Sequence, residues 1–210
     1  MIEARAMDAN VKLLCEEFEF WASAYQRRGS EYYENGWETD FPGYRELMHL
    51  GQEAMNPWTM TSATLACLET CWAISNECTE MLDYAQEHLD ECWKTLVALS
   101  QSQLSDVRWQ VYMAMEHAGP RAEPYLRRGL EDLNDRCRQY ALLALANCNP
   151  ADARAIAERF LKDADPYMRQ ATIRMVLATG DSEFVAQVRQ VLLQDPVEHV
   201  RNDARRRLPE

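Results

Sequence analysis

Four arginines, Arg108, Arg138, Arg169 and Arg201, stand 30, 31 and 32 residues apart, and each follows an apolar residue: Val107, Cys137, Met168 and Val200. Ahead of the last three comes a second shared element, Leu130-Glu131-Asp132, Leu161-Lys162-Asp163 and Leu193-Gln194-Asp195, each aspartate six residues before its arginine. Three residues after the arginines stand Val111, Ala141, Thr172 and Ala204. A period of this length constrains the fold more than any other feature of the chain. Each copy is a small unit that cannot bury its apolar face alone, so successive units must stack.

The unit reads as two helices. Ala141, Leu142 and Leu145 recur at helical spacing and the pattern stops at Asn147–Pro150. A second helix is expected from about Ala151 to Leu161, with Ile156, Phe160 and Leu161 inward. Asp165-Pro166, Gly180-Asp181 and Asp195-Pro196 punctuate the later units. The aspartate of Leu-x-Asp lies close to the next helix N-terminus, where it can accept backbone N–H bonds or pair with the arginine six residues later. Composition agrees: 26 Ala and 22 Leu against 14 Ile and Val together, with 7 Gly and 8 Pro, favour helices over strands.

The pattern resembles the HEAT-like repeats of bacterial α-solenoids, whose first helix often reads Val-Arg-x-x-Ala-x-x-Ala-Leu after an Asp-containing turn. Cys137-Arg138-x-x-Ala141-x-x-Ala144-Leu145 and Val200-Arg201-x-x-Ala204 carry the match, with Val107-Arg108 and Met168-Arg169 as shorter copies. It covers roughly residues 100–208. The resemblance implies an all-α protein: an α-solenoid of HEAT-like helical pairs over 100–210, preceded by an acidic, aromatic-rich helical extension over 1–99. It says little about function, because the family includes scaffolds, inhibitors, bilin lyases and DNA-repair glycosylases. The repeat arginines are expected to be structural, bridging successive units. Arg205-Arg206-Arg207 reads as a solvated capping face or a basic contact.

Charge divides the chain. Residues 1–103 hold 6 Lys and Arg against 18 Asp and Glu; the remainder holds 16 of each, so the whole net charge of −12 sits in the first half. Between residues 31 and 103 the Lys and Arg residues are Arg45 and Lys94. Such a field repels phosphate backbones and attracts cationic surfaces.

Two features of that half are candidates for recognition. A loop over 31–43 interleaves Tyr32, Tyr33 and Trp37 with Glu38 and Asp40, a composition that protein-binding loops favour. Its aromatics could equally pin the loop to the fold. Further on, one two-faced helix is expected over about Glu77–Leu99. Its outer side carries Glu80, Asp83, Glu87, Asp90 and Glu91, with no cation before Lys94. Like charges at i,i+4 cost a few tenths of a kcal/mol each, so such a ridge is mildly destabilising unless something basic covers it. A solvated face serving solubility is the plainer reading.

Catalytic signatures are missing. There is no glycine-rich phosphate loop, nucleophile elbow or deaminase-like Cys/His signature. The seven cysteines are odd in number with no CxxC spacing and read as small buried hydrophobes. His88-x-x-x-Cys92 is the only metal-like hint, and two ligands do not make a site. No cofactor or metal is expected. Glu3, Arg5 and Asp8 sit where a secretory signal needs an apolar core, and no run approaches a membrane span, so a cytoplasmic location is expected.

These observations lead to a non-enzymatic protein-binding module with a partner of basic surface, and neither nucleic acid nor membrane. Its most concrete form is an acidic inhibitor or immunity protein that neutralises a toxin. A general assembly scaffold or chaperone-like adaptor is the alternative, and a HEAT-like DNA glycosylase or lyase a more distant one.

Overall fold

In all four copies of the period the guanidinium folds back onto the turn that precedes its own helix. Arg108 Nη1 donates to the carbonyls of Ser102 (2.9 Å) and Gln103 (3.0 Å). Arg169 does the same to Asp163 (2.9 Å) and Ala164 (3.1 Å), and Arg201 to Asp195 (2.6 Å) and Pro196 (2.9 Å). Arg138 reaches Asp132 at 3.1 Å and Leu133 more weakly. The aspartate therefore does not give its carboxylate to the arginine six residues on; it gives its backbone carbonyl. The carboxylate turns to the backbone instead. Oδ1 of Asp132, Asp163 and Asp195 each accepts, at 2.9 Å, the N–H two residues later. One residue pair thus closes each turn from both ends.

This computed structural model describes residues 2–26, 40–55, 61–75, 79–149 and 152–209, and among them every regular element is helical. The chain divides into two compact units, Met1–Ala114 and Met115–Glu210.

The first unit contains α1 (Ile2–Gln26), α2 (Tyr44–Ala54), α3 (Ser62–Ile74), α4 (Glu80–Glu87), α5 (Leu89–Leu99) and α6 (Ser105–Ala114). Thr61 caps α3 by accepting the Thr64 N–H at 3.1 Å. Leu47, Leu68, Trp72, Met81, Leu96 and Leu99 are fully buried. Two polar side chains inside this core bond backbone carbonyls, Thr95 that of Met55 (2.8 Å) and Gln110 Nε2 that of Trp72 (2.7 Å), while Gln110 Oε1 has no partner among the described residues. Phe41 meets Phe18 edge-on at 5.5 Å and lies 5.6 Å from Trp21, which fastens the approach to α2 against α1.

The single helix expected over Glu77–Leu99 is two. The backbone breaks at His88 (φ −118°, ψ 38°), which ends α4 and starts α5. The sequence pattern missed it because both halves keep their apolar stripe, with Met81, Leu82 and Ala85 buried before the break and Cys92, Leu96 and Leu99 after it. The His88 ring packs on Tyr84 at 4.4 Å and so has a place outside the helical path.

The second unit begins with two 3-10 turns, Met115–His117 and Gly119–Ala122, followed by α7 (Glu123–Gly129), α8 (Asp135–Cys148), α9 (Ala153–Phe160), α10 (Pro166–Ala178), α11 (Ser182–Leu192) and α12 (Glu198–Arg207). Asn134, Asp165 and Asp181 cap α8, α10 and α11 through their side chains, and Pro166 opens α10 as the first-turn rule requires. Gly180 takes φ +65°, the left-handed turn that lets α10 end and α11 begin. The inner layer runs α8 against α10 and α10 against α12; α7, α9 and α11 each back onto the inner helix that comes next in the chain. Ile156, Phe160, Met168, Ile173, Val188 and Val200 fill the space between layers. Ion pairs link successive outer elements, Arg127 to Asp152 and Arg154 to Asp181.

Among the described residues no helix is long and apolar enough to cross a membrane.

Candidate functional site

The acidic residues singled out from sequence come to lie on two helices, in unequal surroundings. Asp83 and Glu87 are exposed on α4, and Asp90 and Glu91 are exposed in the first turn of α5. Glu80, at the start of α4, is only half-exposed. Its Oε2 is buried without a partner and its backbone carbonyl accepts from Gln52 Nε2 at 3.4 Å. The break at His88 changes the energetics expected of a continuous ridge. Asp90 and Glu91 now face the positive end of the α5 dipole, which stabilises them. Glu91 Oε2 lies 3.1 Å from His88 Nδ1, and Asp83 accepts from the Thr79 hydroxyl at 2.9 Å. Like-charge repulsion is thus partly offset within the fold. Lys94, also exposed, stands one turn after Asp90.

Asp40 is exposed, next to the buried Phe41. Tyr32, Tyr33, Trp37 and Glu38 lie outside the described residues.

The cysteines are structural in position. Cys15, Cys67, Cys71, Cys92, Cys137 and Cys148 are buried and free; Cys78 lies outside the described residues. Cys15 donates to the Cys67 carbonyl at 3.7 Å, and Cys71 to that of Leu47 at 3.8 Å. Burial pushes the Cys67 and Cys92 thiols up to about 12. The His88 ring packs on Tyr84 and its Nδ1 lies 3.1 Å from Glu91 Oε2, while Cys92 is buried. Among the described residues no group of three or more His, Cys, Asp or Glu could hold a metal ion.

The inner layer of the second unit holds a cleft of about 90 Å³ that sequence reading missed, with Leu143, Ala171 and Ile173 in its lining beside Gln139 of α8, Gln170 and Arg174 of α10, and Asp203 and Arg207 of α12. Asp203 is 5% exposed and accepts from Gln170 Nε2 (3.1 Å), Arg206 Nη2 (2.6 Å) and Arg207 Nε (3.0 Å). Burial works against its charge, but these three donors outweigh it and hold the carboxyl below its ordinary range. A trace was legible: Arg138-Gln139 and Arg169-Gln170 recur as a dipeptide 31 residues apart, at the period of the repeat.

Residues 123–208 match the family model for HEAT repeats. These residues are HEAT repeats. The match runs from the start of α7 to the end of α12, so the Arg108 copy on α6 lies before it. The HEAT repeats account for the all-α architecture of the second unit and its stacked inner and outer layers. HEAT repeats commonly mediate protein binding through extended surfaces and are generally not enzymes. No curated protein matches the chain.

Proposed function

We propose that this protein is a non-enzymatic binding module in which residues 1–99 recognise a basic partner and the repeats of 100–210 support them. In its most specific form the module is an acidic inhibitor that neutralises a basic toxin or effector. One observation carries the reading: Asp83, Glu87, Asp90 and Glu91 are all exposed in a half of the chain that holds 18 acidic side chains against 6 Lys and Arg. Two short helices meeting at His88 carry these carboxylates, Asp83 and Glu87 on the first and Asp90 and Glu91 in the first turn of the second, and an acidic surface of this kind accelerates capture of a cationic one. A cytoplasmic location fits the reading. Nucleic acid does not fit it, since the field of this half repels a phosphate backbone.

Affinity isolation of the full chain from its native host tests the reading. The expected result is one basic protein in a 1:1 complex, lost on Glu87→Lys with Glu91→Lys. Several partners retained equally by that variant would overturn it and favour a general scaffold.

A further inference from the structure

We propose that the cleft between α8, α10 and α12 is an oxyanion-binding site, taking a single carboxylate or phosphate group. It is independent of the acidic surface of the first unit.

The donors come from three successive inner helices. Arg174 and Arg207 both line the cleft, from α10 and α12, and Gln139 from α8 offers a side-chain amide that has no partner among the described residues. Each arginine of the lining also has a carboxylate partner. Glu116 pairs with Arg174 and also accepts from Asn147 Nδ2 at 2.5 Å. Asp203, the one carboxylate in the lining, serves Gln170, Arg206 and Arg207 together. Asp203 is thus shared between Arg207 in the lining and the exposed Arg206 outside it. Burial and the neighbouring Arg207 charge also lower the Arg174 guanidinium from its ordinary range, and an anion between the two arginines relieves that repulsion.

Size narrows the ligand. At about 90 Å³ the cleft is small and has room for one small oxyanion. A polyanion strand would extend over a chain of net charge −12 and be repelled. Arginine forks suit the planar, bidentate geometry of a carboxylate and also accept phosphate. The free ion and a partner's Asp or Glu side chain share this chemistry.

The test is a titration of the full-length protein followed by the Nε–Hε signals of its arginines in nuclear magnetic resonance. Sodium phosphate and N-acetylglutamate are used separately, at ionic strength matched with sodium chloride. Saturable shifts of a few arginine signals are expected in the millimolar range with at least one ligand. They should be lost in Arg174→Gln and weakened about fivefold in Gln139→Leu, which breaks no ion pair. Stronger binding of N-acetylglutamate assigns the site to a protein carboxylate, and stronger binding of phosphate to the free ion. If neither ligand gives a saturable shift, or if the shift survives unchanged in Gln139→Leu and Arg174→Gln, the proposal is overturned.

Discussion

Arg169 holds Asp195 through two parallel bonds, Nε to Oδ2 at 2.7 Å and Nη2 to Oδ1 at 2.9 Å, while its Nη1 stays on the carbonyls of its own turn. One guanidinium thereby ties three segments: the turn before α10, α10 itself and the turn before α12. The exposures of the two side chains are 12% and 5%, so water screens the pair little. Arg138 approaches Asp165 in the same sense, more loosely, at 3.9 Å. The arginine period is therefore a stacking device as well as a turn clamp.

Replacing Asp195 with Ala should lower the stability of the repeats by about 3 kcal/mol, because it strands a buried guanidinium and removes the bond to the Val197 N–H. Arg159→Ala breaks an exposed pair with Glu131 and should change stability by about 0.5 kcal/mol or less. Urea unfolding of both variants checks the contrast, and equal losses would contradict it.

The pH dependence comes from the same pair. The Arg169 guanidinium, opposed by burial and helped by the Val197 N–H, holds the Asp195 carboxyl below its usual range. A depressed folded-state value means that the stabilisation is fully present above the unfolded value, near 3.9, and is lost as pH falls through the folded one. Asp203 acts in the same direction. Wild type should lose melting temperature steeply below about pH 4. Asp195→Asn, less stable at neutral pH, should show a shallower fall, measured as melting temperature from neutral to strongly acidic pH.

At Gly51, α2 packs against Cys71 of α3 and Met81 of α4 with no room for a side chain. A Cβ there would stand 2.9 Å from Cys71 Sγ, 3.2 Å from its Cβ and 3.3 Å from Met81 Sδ. Gly51→Ala should cost about 1–3 kcal/mol despite alanine's better helix propensity. Cys71→Ala should recover part of it, which thermal unfolding of the double variant reports.

Glu87 is the last residue of α4, and Glu91 lies in the first turn of α5. Lysine at 87 favours the negative helix end and should stabilise by a few tenths of a kcal/mol; lysine at 91 opposes the positive end, loses His88 and should destabilise by about 0.5 kcal/mol. Their sum is near zero, so any loss of partner binding in the double variant reflects charge rather than misfolding. The association rate with the partner should fall most at low salt. Circular dichroism melts of the single variants check the signs.

Titrated in denaturant, without reductant and under anaerobic conditions, the chain should give seven free thiols. In the native state they should react far more slowly, since six are buried and raised in pKa or packed among apolar side chains. Five or fewer groups in denaturant would contradict this.

Periodic features were legible in the sequence because they are local. As turn clamps, Arg138, Arg169 and Arg201 bond carbonyls within six residues of themselves, and the caps Asp165 and Asp181 act within three. The same local pattern misled at His88, where two helices share one apolar stripe across a break in the backbone. The cleft was hidden for another reason. Arg174 and Arg207 are 33 residues apart and Gln139 lies 35 before Arg174, and nothing in their neighbours announces that they meet.

The sequence alone determined an all-helical chain, the repeat length, the residues that close each turn and the confinement of net negative charge to one half. Short-range hydrogen bonding and the 3.6-residue period suffice for all of these. Tertiary structure decided which charges are buried. Asp195 and Asp203 are sequestered while Asp83 and Glu87 are exposed, although all four are carboxylates on or beside helices. Burial depends on what the neighbouring repeat lays across a residue, and that neighbour is supplied by a segment 26 to 33 positions away.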